Sequence, residues 1–289
     1  MKIKQLIRHG VATTWFPIYR FLSQLAGPQA TDTFRILSLH HVSQKELLER
    51  LLCYVLDVHG IITPEEAEGL IEGKAHPKSQ GKIPYLLTFD DGFKSQAALV
   101  REILDRYGVK AIFFICPGLI DVPLDKQREA IANKIFDPPL AAPEITDDMM
   151  LMSWSDIELL VRSGHTIGSH TFSHRRVSGL GEQDLAQEII TPAGIVEDRL
   201  GIPVRWFAYP WGDNASIDSR SFQVINKQYQ FCCSSLPGVN SSKTPRLVLL
   251  REGVNLQAPF HYQKMVLAGG FDFLYRRKVR ELIKLAYTG

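Results

Sequence analysis

Tyr85-Leu86-Leu87-Thr88-Phe89-Asp90-Asp91-Gly92 decides how the rest of the chain is read, because an apolar run of strand length ends in two adjacent carboxylates and a glycine. Like charges a few ångströms apart raise each other's pKa unless a cation or hydrogen-bond donors compensate. The pair therefore points to one carboxylate on a metal ion and its neighbour kept as a base. An Asp-Gly step also closes ordinary strand-ending turns, so the reading needs a second element.

That element is Gly164-His165-Thr166-Ile167-Gly168-Ser169-His170-Thr171-Phe172-Ser173-His174, where two histidines stand four positions apart after a strand-like alternation. Positions i and i+4 share a face of a helical turn, so His170 and His174 are expected to reach one ion from one side. With Asp91 they make an Asp-His-His set that leaves a position open for water, as catalytic zinc sites do. A surface helix pair has the same spacing. His165, at the start of that strand, reads as structural.

Taken together and in this order, Thr88-Phe89-Asp90-Asp91-Gly92 and His170-Thr171-Phe172-Ser173-His174 resemble the polysaccharide deacetylase family, the carbohydrate esterases with NodB homology. Phe207-Ala208-Tyr209-Pro210-Trp211-Gly212 is similar to the family's third element, an aromatic-Pro-aromatic-Gly turn after a strand. The resemblance runs over residues 34 to 255. It implies an irregular (β/α)7 barrel with its site at the C-terminal strand ends. It also implies one divalent metal ion, zinc foremost, on Asp91, His170 and His174, with Asp90 as general base. In the family the backbone N–H at the position of Trp211 stabilises the oxyanion, and the Trp211 ring and Tyr209 would line the cleft.

Two positions depart from the family pattern. Most members supply the general acid from a late Leu-x-His motif, which is missing; the late histidine, His261, sits in Pro259-Phe260-His261-Tyr262. One branch instead uses a histidine at the end of an N-terminal strand, and Leu39-His40-His41-Val42 resembles that arrangement. The acid is assigned to His40, with His41 as the neighbour that strand alternation turns the other way. Ala208 stands where many members carry an arginine that orients the base carboxylate. Arg251, after an expected strand at Leu247–Leu250, is the candidate replacement.

The remaining sequence agrees with this scale. A chain of 289 residues can bury a large core and remain one domain when the fold is a barrel. With 33 basic against 31 acidic residues there is no field that favours nucleic acid. Cys53, Cys116, Cys232 and Cys233 lack metal-knuckle spacing and read as buried thiols. Arg8, His9 and Arg20 interrupt any long apolar run near the start, so a signal peptide or spanning helix is not expected and the location expected is cytoplasmic.

Residues 1–30 read as an amphipathic helical extension, followed by a single deacetylase domain over 31–289 with an irregular insertion at about 117–152. Helices are expected at Gln44–His59, from Thr63, at Ser95–Tyr107, from a Ser155–Glu158 capping box to Gly164, at Gln183–Leu200 with a break at Pro192, at Ser219–Gln228, and over 260–287. The last carries Arg276, Arg277, Lys278, Arg280 and Lys284, and the two basic ends would suit peripheral contact with a membrane.

The expected function is metal-dependent removal of an N-acetyl group from an N-acetylated sugar or oligosaccharide, in a polysaccharide or glycolipid precursor. Two other readings share these residues. One is removal of a different small N-acyl group such as formyl; the other is a catalytically silent carbohydrate-binding member of the fold.

Overall fold

Strand β2 (Tyr85–Phe89) is buried along its whole length, as are β1 (Arg35–Leu39) and β3 (Ala111–Ile115). Strands covered on both faces read as continuous apolar runs and pair in parallel, with helices between them. The computed structural model describes residues 32–74 and 82–288; the helical extension expected over 1–30 lies outside these. With β4 (Thr166–Ser169), β5 (Trp206–Ala208), β6 (Phe231–Cys233) and β7 (Glu252–Gly253), the strands form one seven-stranded sheet in the order β6-β5-β4-β3-β2-β1-β7. All of its pairings are parallel. Cys233 in the β6 edge bridges to Leu249, shortly before β7, so the sheet curls round as the expected irregular (β/α)7 barrel.

Alternation along the strands divides the core in two. Ile36, Leu86, Ile112, Phe114, Trp206, Ala208 and Leu249 fill the inside of the curl. Leu37, Leu39, Leu87, Phe89, Phe113 and Ile115 face outward onto the helices. Truncating one such large side chain to alanine costs about 2–5 kcal/mol. The same parity carries past the strand ends: Ser38 and His40 follow Ile36 inward, and Thr88 and Asp90 follow Leu86.

Helix α1 (Lys45–Val58) buries Leu48, Leu51, Leu52 and Val55, the i, i+3, i+4, i+7 stripe of a surface helix. Helix α2 (Pro64–Ile71) starts at a Thr63/Glu66 capping box with Pro64 in its first turn. The expected Ser95–Tyr107 helix is a π turn, Gln96–Val100, running into α3 (Arg101–Arg106).

Several expectations are corrected. The segment 117–152 is more ordered than an irregular insertion, with helices α4 (Pro117–Ile120) and α5 (Leu124–Lys134) and buried Ile131, Ile145 and Met152. Its helix was faint in sequence because only Gln127, Ile131 and Ala132 of α5 are buried. The cap of α6 (Trp154–Arg162) is Ser153 with Asp156, not Ser155 with Glu158; the two Ser-x-x-acid frames overlap, and the earlier one leaves Ile157 and Leu160 facing the core.

The break at Pro192 is taken up by a π turn, Ala186–Ile190, between α7 (Glu182–Leu185) and α8 (Thr191–Leu200). The proline thereby lies in the first turn of α8, where a missing N–H is tolerated. Helix α9 (Ser219–Gln228) has the expected bounds. The strand expected at Leu247–Leu250 is reduced to the single Leu249 bridge, and pairing with β1 begins at Glu252. The helix expected over 260–287 is split into α10 (Phe260–Leu267) and α11 (Asp272–Tyr287) around Gly269 (φ +74°) and Gly270. Cys116, Cys232 and Cys233 are buried, but Cys53 is exposed because it lies on the outer side of α1.

Candidate active site

Asp90 and Asp91 follow β2 directly, and their carboxylates are held in different ways. Asp90 is buried and receives two hydrogen bonds from Arg251, Nη1–H to Oδ1 at 2.7 Å and Nη2–H to Oδ2 at 2.9 Å. Such a two-pronged pair fixes the carboxylate plane as well as its charge. Ser38 Oγ–H donates to Asp90 Oδ2 at 3.2 Å. Burial alone would favour the neutral acid, but the Arg251 guanidinium holds the Asp90 carboxyl below the usual carboxylate range.

Arg251 is itself fully buried and satisfied. Its Nε–H donates to the Ser234 carbonyl at 2.9 Å, and Nη1–H also reaches Thr88 Oγ1 at 3.2 Å. It occupies the inward side of the barrel with Ser38 and Thr88, which are register partners of β1 and β2. No strand at Leu247–Leu250 delivers it, yet the guanidinium sits on Asp90, while Ala208 offers only a methyl group.

Asp91, His170 and His174 lie together, with their donor atoms within 4.8 Å of one another and all three residues buried. His170 Nδ1 lies 2.7 Å from the Ala208 carbonyl and His174 Nδ1 2.7 Å from the Lys134 carbonyl. A carbonyl only accepts, so each Nδ1 carries the proton and each Nε2 presents its lone pair. Those Nε2 atoms face Asp91 Oδ1 at 3.5 and 3.3 Å, and that buried oxygen has no hydrogen-bond partner. Three lone-pair donors converging in a buried space are the donor set of a divalent cation with nitrogen and oxygen ligands.

The two histidines do not ride a helical turn. Residues 170–174 form an irregular loop in which Thr171 (φ +67°) and His174 (φ +59°) adopt the left-handed region. Buried Glu188 explains its shape, because one carboxylate oxygen accepts from the Ser173 N–H at 2.9 Å and the other from Ser173 Oγ–H at 2.6 Å. Glu188 belongs to the π turn before Pro192, a distortion that often marks functional sites. Asp91 (φ +74°) and Trp211 (φ +60°) complete the set of non-glycine residues with positive φ among the described residues. Each such position costs on the order of 1–3 kcal/mol, and clustering of this kind is found at active sites.

His40 and His41 separate as strand parity requires. His40 Nε2 stands 3.7 Å from Asp90 Oδ2 with its side chain 53% exposed. His41 turns away, with Nε2 2.7 Å from Asp148 Oδ2 and its ring edge-on to Phe93. His165 lies at the opposite end of β4, where its Nδ1 accepts from the Ala111 N–H at 3.3 Å.

Trp211 packs its ring 4.7 Å from that of His174, and the Arg176 guanidinium stacks on it at 4.2 Å. Tyr209 is 1% exposed and its hydroxyl donates to the Gly212 carbonyl at 3.1 Å, so its ring supports the turn from beneath and does not line the cleft. Gly212 (φ +66°) packs so tightly on Ser235 that no side chain fits there. The residues that sequence reasoning missed are Ser38, Thr88, Glu188 and Arg176. Alternation back from His40 and Asp90 would have found the first two; nothing local announces the others.

A model of the polysaccharide deacetylase family matches residues 78–229, more than half of the chain. The chain belongs to the polysaccharide deacetylase family. Among solved structures it is similar to IcaB from Ammonifex degensii, at 22% identity and a TM-score of 0.63 over 82% of this chain and 97% of that one. It is also similar to the Streptococcus pyogenes deacetylase PplD, at 16% identity and 0.63 over 81% and 97%, and to the BpsB deacetylase domain from Bordetella bronchiseptica, at 20% and 0.62 over 78% and 97%. At such identities the likeness is one of fold. A bifunctional xylanase/deacetylase from Pseudobutyrivibrio xylanivorans is 21% identical over 140 residues, which are 48% of this chain and 18% of that protein. The chain thus spans less than a fifth of that relative's length.

Proposed function

We propose that this polysaccharide deacetylase is a metal-dependent hydrolase that removes the N-acetyl group from an N-acetylated sugar, acting through residues 31–289 as one domain. The observation that carries this is the adjacency of an arginine-clamped carboxylate, Asp90, to the Asp91-His170-His174 donor set at the C-terminal strand ends. A divalent ion on those three residues, zinc by their nitrogen and oxygen chemistry, would supply charge to polarise an amide and activate water.

The chain's own groups then have defined tasks. Asp90, kept ionised and fixed by Arg251, accepts the proton of the attacking water. His40, on the exposed side of Asp90, gives a proton to the departing amine, as in the branch of the family with an N-terminal histidine. Trp211 and the turn that holds it wall the site beside His174, with the Trp211 N–H proposed as the oxyanion donor.

A polysaccharide or glycolipid precursor at a cytoplasmic membrane surface is the substrate setting we favour. Among the described residues no helix is long and apolar enough to cross a membrane. All four cysteines are free, which suits a reducing compartment. Exposed Phe273, Leu274 and Tyr287 accompany Arg277, Arg280 and Lys284 on α11, a combination suited to anionic headgroups. Co-sedimentation with anionic but not neutral vesicles, abolished in Arg277→Glu/Arg280→Glu, would support this setting; equal recovery on both would remove it.

Acetate release from N-acetylated amino sugars by zinc-reconstituted protein tests the activity itself. Formate release from N-formyl substrates alone would reassign the acyl group. Carbohydrate binding with no acid released from any substrate would leave a silent binding protein.

A further inference from the structure

Three segments distant in sequence converge on the guanidinium of Arg176, two residues beyond His174. It stacks on the Trp211 ring at 4.2 Å, and that ring lies 4.7 Å from the ring of His174. Its Nη1–H donates to Oγ of buried Ser216, whose own hydroxyl donates to Asp213 Oδ1 at 2.6 Å, so the guanidinium is fastened to the turn that carries Trp211. Its Nη2–H donates to Asp137 Oδ2 at 3.1 Å, in the segment whose Lys134 carbonyl faces His174 Nδ1. The Asp137 pair is exposed on both sides, 37% and 58%, and pairs of that kind hold little. The firm contacts of Arg176 are therefore those with the Trp211 turn.

That turn needs holding. Trp211 has φ +60°, a left-handed conformation that a residue with a side chain keeps only when its surroundings enforce it. On its far side Gly212 is pressed against Ser235, which fixes the backbone but not the indole. The angle φ turns the ring-bearing Cα about the bond to the N–H, so a ring that is held also fixes where the N–H points. We propose that Arg176 is a positioning residue for the reaction: by clamping the Trp211 ring it keeps the Trp211 N–H aimed at the place where the oxyanion forms. The inference rests on the proposed function, in which that N–H is the oxyanion donor. An interaction made only in the transition state shows in kcat, whereas a direct contact between Arg176 and the sugar would show in KM.

The test compares zinc-reconstituted full chain with Arg176→Gln, which removes the guanidinium and keeps a flat polar end, using acetate release from the β-linked trimer of N-acetylglucosamine. The variant is expected to lose on the order of tenfold in kcat, a share of what an oxyanion donor supplies, with KM and zinc content unchanged. Arg176→Lys, which keeps the charge without the planar stacking face, is expected to recover little of the loss. In chain labelled with 5-fluorotryptophan, the fluorine line assigned to Trp211 by its absence from Trp211→Phe is expected to shift and broaden in Arg176→Gln, while the lines of Trp154 and Trp206 stay in place. Unchanged kcat, a rise in KM alone, full kcat in Arg176→Lys or an unmoved Trp211 line would overturn the proposal. The wild type separates the two claims: acetate released by it alongside any of those results removes the inference alone, whereas no acetate from it removes the deacetylase reading and the inference with it.

Discussion

The two ends of the strands are built from similar residues and used in opposite ways. At the N-terminal end Arg35 pairs with Glu252 and with Asp272 at 2.6 Å, and the Tyr85 hydroxyl donates to the Leu267 carbonyl at 2.5 Å. These groups tie β1, β2, β7, α10 and α11 together. At the C-terminal end Asp91 Oδ1 is buried without a hydrogen bond, lone pairs face one another, and the backbone enters the left-handed region at Asp91, Thr171, His174 and Trp211. One end spends its charges on cohesion and the other holds them in tension, which is the division of labour expected of a barrel with its site above the strands. Strand β4 shows it in miniature: His165 below accepts from a backbone N–H, whereas His170 above presents a lone pair to Asp91.

Substitutions can break this contrast. Asp90→Asn should lower kcat by about 10²–10⁴-fold while metal content stays the same; retained turnover would remove Asp90 as the base. Arg251→Ala should cost both ends of the ledger, with about 3–5 kcal/mol of stability lost through the stranded Asp90 charge and kcat reduced. Arg251→Lys should recover much of the stability but little of the rate, because an ammonium cannot make the two-pronged contact.

Arg35→Met should destabilise by a similar amount, since Glu252 is left buried and unpaired, yet kcat per folded molecule and metal content should not change. A fall in kcat with stability intact would erase the distinction between the ends. His40→Ala should slow turnover by on the order of a hundredfold and His41→Ala by much less, with metal retained in both; the reverse ranking would move the acid to His41.

The smallest effect concerns pH. Burial pushes His59 and His165 down to about 4. A histidine whose pKa falls on folding takes its proton more readily in the unfolded chain, so the associated stability is complete above about 6.5 and is lost as the pH falls below it. The melting temperature should therefore decline between about 6.5 and about 4, and His165→Gln should flatten the decline. A melting temperature independent of pH over that window would contradict the burial argument.

How much of this was legible depended on distance along the chain. The strands and the Asp90-Asp91 and His170/His174 motifs are contiguous, and contiguous patterns can be read. Arg251 was chosen for its place near a late strand, although the strand itself lies one position beyond it. The helical geometry expected for His170 and His174 was wrong because spacing of four residues does not reveal Thr171 and His174 in the left-handed region. Glu188 and the Lys134 carbonyl could not be read at all, since they reach the histidine loop from a π turn and from α5, and no local pattern encodes such meetings. Tyr209 was misplaced because a turn aromatic looks alike in sequence whether it faces the cleft or supports it.

The account depends most on the Asp91-His170-His174 donor set holding an ion. Elemental analysis of purified wild-type chain beside an Asp91→Ala/His170→Ala variant prepared identically, each after zinc reconstitution, tests this directly. About one tightly held divalent ion per wild-type chain, absent from the variant, is the result predicted. No ion in the wild type, or equal content in both proteins, would contradict it.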